Sequence, residues 1–308
     1  MSINKKSLIL LGLLSLVWGG YFLLIEIADD SFPPFVIATT RLAMGAVILL
    51  VVLKRQGLRL PPLGRSWVPF LIIGFFEALL PTLLLSMGED HISPALASVL
   101  FSTMPIFTVI IGYIWLSRPL TRNKIVGVVI GFIGTLIVLI PDLSLGVGEG
   151  IVLLGALAVL IASLAKSVAA LYSHQVLENK EPVVVATTMM SSAAVAGLPF
   201  MLILENPFQI RPTSEALLAL ALIGVSSAVG FLMFFWLIKH RGPTFASIVR
   251  FNEPPIAILL SVFFLSDSLN ITTLVGVITI LLCIAIMNGY LDNFWAKIMP
   301  RRTAVSDA

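Results

Sequence analysis

The chain alternates between long apolar stretches and short polar connections. A helix that crosses the hydrocarbon core of a bilayer needs about 20 mostly apolar residues. Ten such stretches occur, and together they fill about two thirds of the chain. They lie at residues 8–25, 33–53, 67–86, 93–116, 123–140, 151–173, 183–204, 215–238, 243–265 and 271–290. This pattern predicts an all-α integral membrane protein with ten transmembrane helices and no soluble domain.

The composition excludes several classes of protein. Of the 308 residues, 58% are hydrophobic and 11% are charged, whereas soluble domains average about 25% charged residues. So few charges exclude a soluble enzyme, a disordered protein and a nucleic-acid-binding protein. The single cysteine, Cys283, excludes an intramolecular disulfide and a cysteine metal cluster. We therefore expect no cofactor, no bound metal and no nucleic-acid partner.

The basic residues indicate how the chain is oriented in the bilayer. If the N-terminus lies inside, the inner segments hold fifteen lysines and arginines, whereas the outer loops hold only Arg211. Cytoplasmic loops of membrane proteins carry an excess of lysine and arginine. The distribution therefore supports ten spans and predicts that both termini are cytoplasmic.

An internal repeat divides the chain into two halves. From His91 to Gly134, 11 of 44 residues are identical to those about 149 positions later. The fixed spacing of Pro94, Ala97-Ser98 and Pro105 recurs as Pro243, Ala246-Ser247 and Pro254. Each half, residues 1–145 and 146–308, holds five predicted spans, and the second ends in a short cytoplasmic tail.

The odd number of spans per half has a topological consequence. Because five is odd, the second half enters the membrane from the opposite side. This predicts a 5+5 inverted-topology repeat, an architecture typical of secondary transporters. The alternative interpretation is a gene duplication without functional consequence.

Several motifs resemble the drug/metabolite transporter superfamily and, within it, the ten-span EamA type. They are Trp18-Gly19 in the first span, Pro34 with Arg41 in the second, Ala97-Ser98 with Pro105 and Leu116 in the fourth, and the run from Gly242 through Glu253-Pro254 in the ninth. The resemblance implies a central cavity through which metabolites such as amino acids are carried, often outward. It also implies a location in a prokaryotic cell (inner) membrane.

Charged residues inside the predicted spans are the first candidates for substrate binding. They are Arg41, Glu77, Lys166, Arg250 and Glu253. A charge at the bilayer centre costs about 2.5–3.5 kcal/mol on insertion scales, so such residues face the bundle interior or water. The mixture of signs suits a zwitterion, with Arg41 or Arg250 on a substrate carboxylate and Glu77 on an ammonium.

Each of these charges also has a purely structural interpretation. Glu77 is either a ligand-binding or protonatable carboxylate, or a hydrogen-bond partner of a neighbouring helix. Arg41 either grips a carboxylate or forms a salt bridge with Glu77. Arg250 and Glu253 share one helix face and are either site residues or a mutual ion pair. Lys166 either faces the cavity or extends to the membrane interface.

Aromatic, hydroxyl and proline residues complete the candidate site. The aromatic candidates for substrate contact are Trp18, Phe22, Phe231 and Phe251. Each of them has helix packing or lipid contact as its alternative role. Thr103 stands beside Pro105 in the fourth span, and Pro254 occupies the equivalent place in the ninth. Proline removes a backbone donor and bends a helix, so both prolines are predicted hinges in the cavity wall.

These features together predict a secondary transporter. We expect it to move small amphipathic metabolites, most simply amino acids and outward, by alternating access around a central cavity. No Gly-x-x-x-x-Gly-Lys-Ser/Thr run is present, so the energy comes from a gradient, from exchange or from the substrate's own concentration difference. The alternatives are an importer or exchanger of organic anions or cations, an intramembrane enzyme and a channel. The expected partners are a small-molecule substrate and the lipid bilayer, with the chain acting as a monomer or a homodimer.

Overall fold

All regular secondary structure in the residues that a computed structural model describes is helical. These are residues 5–89, 91–92, 97, 100–117, 121–143, 149–250, 252–253, 256, 260 and 271–287. No β-strand occurs among them. The α-helices are α1 (Lys5–Asp29), α2 (Pro34–Arg55), α3 (Val68–Gly74), α4 (Leu80–Glu89), α5 (Met104–Leu116), α6 (Arg122–Leu143), α7 (Glu149–Leu177), α8 (Pro182–Leu204), α9 (Ser214–Arg241), α10 (Pro243–Ser247) and α11 (Ile271–Met287).

The helices coincide with the predicted apolar stretches. Each of the ten stretches contains helix among the residues that are described. Within the described residues, six helical segments are long and apolar enough to cross a bilayer. They are Lys5–Asp29, Pro34–Arg55, Arg65–Leu85, Gly150–Leu177, Pro182–Leu204 and Ser214–Arg241. The remaining stretches contain α5, α6, α10 and α11, of which α6 spans Arg122–Leu143 and the other three are shorter.

The repeated sequence produces the same local structure in both halves at the start of α2 and α8. Pro34 and Pro182 each occupy the first turn, after a residue with extended backbone. Proline suits this position because its fixed φ is helical and its missing N–H would have no helical partner. The start of α2 is also held by the other half, because both carboxylate oxygens of Glu205 accept backbone N–H groups, from Phe35 at 2.9 Å and from Val36 at 2.7 Å.

Helices pack against their counterparts in the other half. α2 lies against α8 and α6 against α11, and α5 of the fourth predicted span lies against α10 of the ninth. The contact between α1 and α9 is matched by that between α7 and α4, which are the corresponding elements at the repeat offset. The two halves are therefore interleaved and do not form separate bodies.

Small residues allow the close contact between α6 and α11. Gly127, Gly131 and Gly134 lie on one face of α6 and are buried. A side chain at Gly131 would meet the sulfur of Cys283 and the side chain of Ile106. This glycine face is therefore used for packing inside the chain, as small residues are in membrane helix pairs.

The outer surface is apolar, as expected for a protein surrounded by lipid. Ile114, Ile203 and Leu204 are more than half exposed, together with many other aliphatic side chains. The buried polar side chains, by contrast, include Glu77, Lys166, Arg250 and Glu253. A soluble protein would instead bury the aliphatic side chains and expose the charged ones.

Trp18 belongs to the largest described cluster of buried hydrophobic residues. Its ring is 5.7 Å from that of Phe231 in an edge-on arrangement and 5.2 Å from that of Phe234. The indole also presses against the backbone of α9 at Gly230, where an added Cβ would overlap the indole nitrogen. Glycine at position 230 therefore fixes how closely α1 approaches α9.

We expect Gly230→Ala to lower the stability of the protein, because the new methyl group displaces Trp18. Overpacking of a well-packed core typically costs about 1–3 kcal/mol. Gly12→Ala is the matched control, because a Cβ at Gly12 of α1 has no neighbour within 4 Å. Thermal unfolding of both variants in detergent measures the difference. Equal melting temperatures would contradict the proposed role of Gly230.

Candidate functional site

The third predicted span is interrupted at Glu77. Residues Phe75–Leu79 form a π-helical turn between α3 and α4. Pro81 lies four residues after Glu77, so the Glu77 carbonyl lacks the N–H that an α-helix would supply. π-Turns inside helices are frequently found at functional sites. This turn places a carboxylate and a carbonyl of one residue together in the interior.

The fourth predicted span is interrupted in a similar way at Ser102 and Thr103. Both residues lie in a turn that precedes α5, and Pro105 stands in the first turn of that helix. Pro105 removes the helical donor to the Phe101 carbonyl. Ser163 of α7 replaces that donor, with its Oγ 3.0 Å from the Phe101 oxygen, and its Oγ also accepts a 3.2 Å hydrogen bond from Thr103.

Lys166 of α7 makes the equivalent contact with the third span. Its Nζ donates to the backbone oxygen of Glu77 at 2.7 Å and to Oε1 of the same residue at 2.8 Å. The side chains are 8% and 0% exposed, respectively. Lys166 therefore points into the bundle, and the alternative interpretation, in which it extends to the interface, is wrong.

Arg250 and Glu253 extend the ion pair into a network. Their side chains are joined by hydrogen bonds of 2.9 and 3.2 Å, as their spacing on one helix face predicts. Arg250 also approaches Oε1 of Glu77 at 3.6 Å. Two carboxylates and two basic groups thus share one buried region, which we call the charge network. Its formal charges cancel.

Two aromatic rings enclose the basic groups of the charge network. The Arg250 guanidinium lies 4.1 Å from the centre of the Trp18 ring and 5.3 Å from that of Phe101. The Lys166 ammonium lies 5.6 Å from the centre of the Phe101 ring. Aromatic faces attract cations, most strongly where water is excluded. Phe231 contributes indirectly, because it packs against the edge of Trp18.

The charge network has unused hydrogen-bonding capacity. Within the described part of the chain, Oε2 of Glu77 and Nε of Arg250 are buried without a hydrogen-bond partner. One is an acceptor and the other a donor, and both belong to charged groups. Unsatisfied buried polar groups are rare in proteins, and each calls for an explanation such as a functional role or a bound water or ion. No group of three metal-binding side chains occurs among the described residues.

Arg41 lies apart from the charge network in its direct contacts. Its Nη1 donates to Ser227 at 3.5 Å, and its guanidinium lies 5.3 Å from the centre of the Tyr21 ring. The predicted alternative of a salt bridge with Glu77 is not found, because Glu77 is paired with Lys166 and Arg250. Of the three basic residues inside the predicted spans, Arg41 is therefore held least firmly by other side chains.

The structure brings most of the predicted site residues together. Lys166, Arg250, Glu253, Glu77 and Trp18 form or contact the charge network, whereas Thr103, Pro105 and Phe231 lie in the layer around it. Phe251 and Pro254 lie outside the described residues, as does the side chain of Phe22.

Phe101 and Ser163 also line this region, although neither is among the site residues predicted from the sequence. The prolines offered a signal for both breaks, because each stands four residues after a carbonyl that needs another donor. No such signal marks the ring of Phe101, whose position depends on how the helices are rotated.

Comparison with known proteins identifies the family. The model of the EamA-like transporter family matches the chain twice, over residues 5–140 and 153–289. The chain belongs to the EamA-like transporter family. Glu77 lies in the first matched segment of this EamA protein, and Lys166, Arg250 and Glu253 lie in the second.

The names of related proteins agree with this assignment. The chain is 28% identical to an uncharacterized transporter of Buchnera aphidicola, covering 88% of this chain and 89% of the relative. It is 26% identical to the uncharacterized transporter YoaV of Bacillus subtilis, covering 92% and 97%. It is also 26% identical to the uncharacterized inner membrane transporter YedA of Escherichia coli, covering 80% and 79%.

A solved crystal structure has the same fold as this EamA protein. It superposes with a TM-score of 0.76 at 19% identity and covers 93% of this chain and 99% of the other. The family match and the apolar helices identify the protein as a multi-pass integral membrane transporter. The charge network lies where its two family repeats meet.

We expect the charge network to behave as a coupled unit in stability measurements. Glu77→Gln leaves two cations against Glu253, and breaking a buried pair on one side typically costs about 3–5 kcal/mol. The double variant Glu77→Gln/Lys166→Met is neutral again and should recover a large part of that loss. Thermal unfolding in detergent is measured for wild type, the two single variants and the double variant, which together form a double-mutant cycle.

The matched control is an exposed pair elsewhere in the chain. Lys239 and Glu181 are 3.0 Å apart, with side chains that are 26% and 58% exposed. Glu181→Gln should cost no more than about 1 kcal/mol. Additive losses in the interior cycle, or equal losses at Glu77 and Glu181, would contradict the coupling.

Proposed function

We infer that this protein is a secondary transporter that moves small amphipathic metabolites, with amino acids as the substrate class and export as the direction. The observation that carries this proposal is the neutral charge network between the two repeats. A buried site that contains both signs and has an unused donor and acceptor suits a substrate that also contains both signs.

The substrate's charges have specific candidate partners. Glu77 is the proposed partner of the substrate ammonium, because its Oε2 accepts no hydrogen bond from the described residues. The carboxylate has three candidate partners. Of these, Arg250 is held most firmly, because it donates two hydrogen bonds to Glu253 and also stacks on Trp18 at 4.1 Å. Arg41 and Lys166 remain. Trp18 supplies an apolar surface beside the ions.

The architecture supports alternating access. Helices of the two repeats pack in corresponding pairs. A contact that a helix of the first repeat makes with the second, such as α1 with α9, is therefore matched by one that the equivalent helix of the second repeat makes with the first, such as α7 with α4. In an inverted 5+5 repeat, with halves at residues 1–145 and 146–308 and both termini cytoplasmic, exchange of the two conformations moves the opening from one side to the other. The break before Pro105 is one proposed hinge, and Pro254, which occupies the equivalent place in the repeated sequence, is the other. A monomer already contains a complete site, and a homodimer is compatible with it.

Counterflow in proteoliposomes tests the proposal. The panel contains labelled amino acids, organic cations, organic anions and sugars at two pH values. We expect uptake of an amino acid above the level of empty liposomes. Uptake confined to cations or to anions would keep the transporter assignment and overturn the zwitterion proposal in favour of an importer or exchanger of those ions.

Variants connect any uptake to the charge network. Glu77→Gln should lower amino-acid counterflow about tenfold or more, because a site that hydrogen-bonds a substrate discriminates strongly when one partner is lost. Glu181→Gln, which alters the exposed pair, should keep the wild-type rate. Equal rates in both variants would remove Glu77 from substrate binding.

A further inference from the structure

Lys166 makes the contacts that a bound alkylammonium would make. Its Nζ lies 2.8 Å from a carboxylate oxygen and 2.7 Å from a backbone carbonyl, both of Glu77, and 5.6 Å from the centre of the Phe101 ring. A carboxylate, a carbonyl and an aromatic face are the groups that recognise a primary ammonium. Lys166 thus occupies an ammonium subsite built from the third and fourth spans.

The residues around this subsite differ in how firmly they are held. Arg250 is fixed by two hydrogen bonds to Glu253 and by close stacking on Trp18. Lys166 also makes two hydrogen bonds, of 2.7 and 2.8 Å, but the centre of the Phe101 ring is 5.6 Å from its Nζ and its ammonium stands at the end of a flexible four-carbon chain. Within the charge network, Lys166 is therefore the cation that can leave with the least rearrangement.

Charge balance determines what can replace it. With Lys166 and Arg250 opposite Glu77 and Glu253, the charge network is neutral. A simple amine that takes Glu77 would leave the displaced lysine as an unpaired buried charge, which is costly. An amino acid brings its own carboxylate, and this group can pair with the displaced lysine. The network stays neutral only in the second case.

We propose that Lys166 is the specificity-determining residue, an internal occupant of the ammonium subsite that gives way only to amines that carry a carboxylate. The substrate ammonium takes the place of the Lys166 ammonium on Glu77, and the substrate carboxylate pairs with Lys166. This inference rests on the proposed function for its substrate class. It selects Lys166 over Arg41 as the partner of the carboxylate.

Matched ligands test the specificity. Phenylalanine and phenethylamine differ only by the carboxylate, and their binding to the full-length protein in detergent is measured by thermal shift. Wild type should bind phenylalanine in preference to phenethylamine. Lys166→Met should invert this preference by about tenfold or more, because a cation alone then restores neutrality. Lys239→Met, which removes an exposed lysine, should keep the wild-type preference.

Arg41→Met distinguishes the two candidate partners of the carboxylate. If Lys166 is the partner, Arg41→Met keeps the preference for phenylalanine. An inversion in Arg41→Met together with an unchanged preference in Lys166→Met would overturn the inference, as would a wild type that prefers phenethylamine.

A second measurement tests the ammonium subsite without transport. Lys166→Ala removes three carbons and the ammonium, which together correspond to propylammonium. Propylammonium chloride should raise the melting temperature of Lys166→Ala, whereas sodium chloride and 1-propanol should not, and Glu77→Gln/Lys166→Ala should show no effect. Absence of protection in Lys166→Ala would overturn the subsite. Protection without amino-acid counterflow by wild type would instead support the subsite and contradict the proposed function.

Discussion

The interior of this protein depends on satisfying backbone carbonyls that proline leaves without a donor. In a bilayer no water is available to take that place, so an unsatisfied carbonyl costs several kcal/mol. Pro81 and Pro105 create this requirement in the third and fourth spans. Lys166 and Ser163, three residues apart on one face of α7, meet it. The position of α7 and the location of the buried charge are thereby fixed together.

Much of the fold follows from the sequence because the bilayer imposes a simple rule. Only a run of about 20 apolar residues can cross it as a helix, so hydropathy locates the helices closely. Pro34 and Pro182 mark two starts because proline fits the first turn. Hydropathy does not indicate where a span is broken, and the π-turn at Glu77 depends on local geometry that a smooth apolar pattern conceals.

The candidate site was predictable in its residue types but not in its pairings. A charge inside an apolar span identifies itself, and the spacing of Arg250 and Glu253 predicts their mutual hydrogen bonds because both stand on one helix. The partner of Glu77 is 89 positions away on another helix. Which residue pairs with Glu77 depends on how each helix is rotated and how deep it lies in the membrane. The apolar periodicity fixes neither of these more closely than about one helical turn. Arg41 was for this reason an equally good candidate for that role.

The link between Glu205 and the start of α2 has a consequence for how the protein tolerates sequence change. The carboxylate is bound by two backbone N–H groups and by no side chain of α2. Substitutions at Phe35 or Val36, other than proline, therefore leave these donors in place. The contact therefore tolerates most substitutions in α2, whereas on the other side it depends on Glu205 alone. No side chain on α2 has to change together with Glu205. For the same reason, no substitution in α2 can compensate for the loss of Glu205.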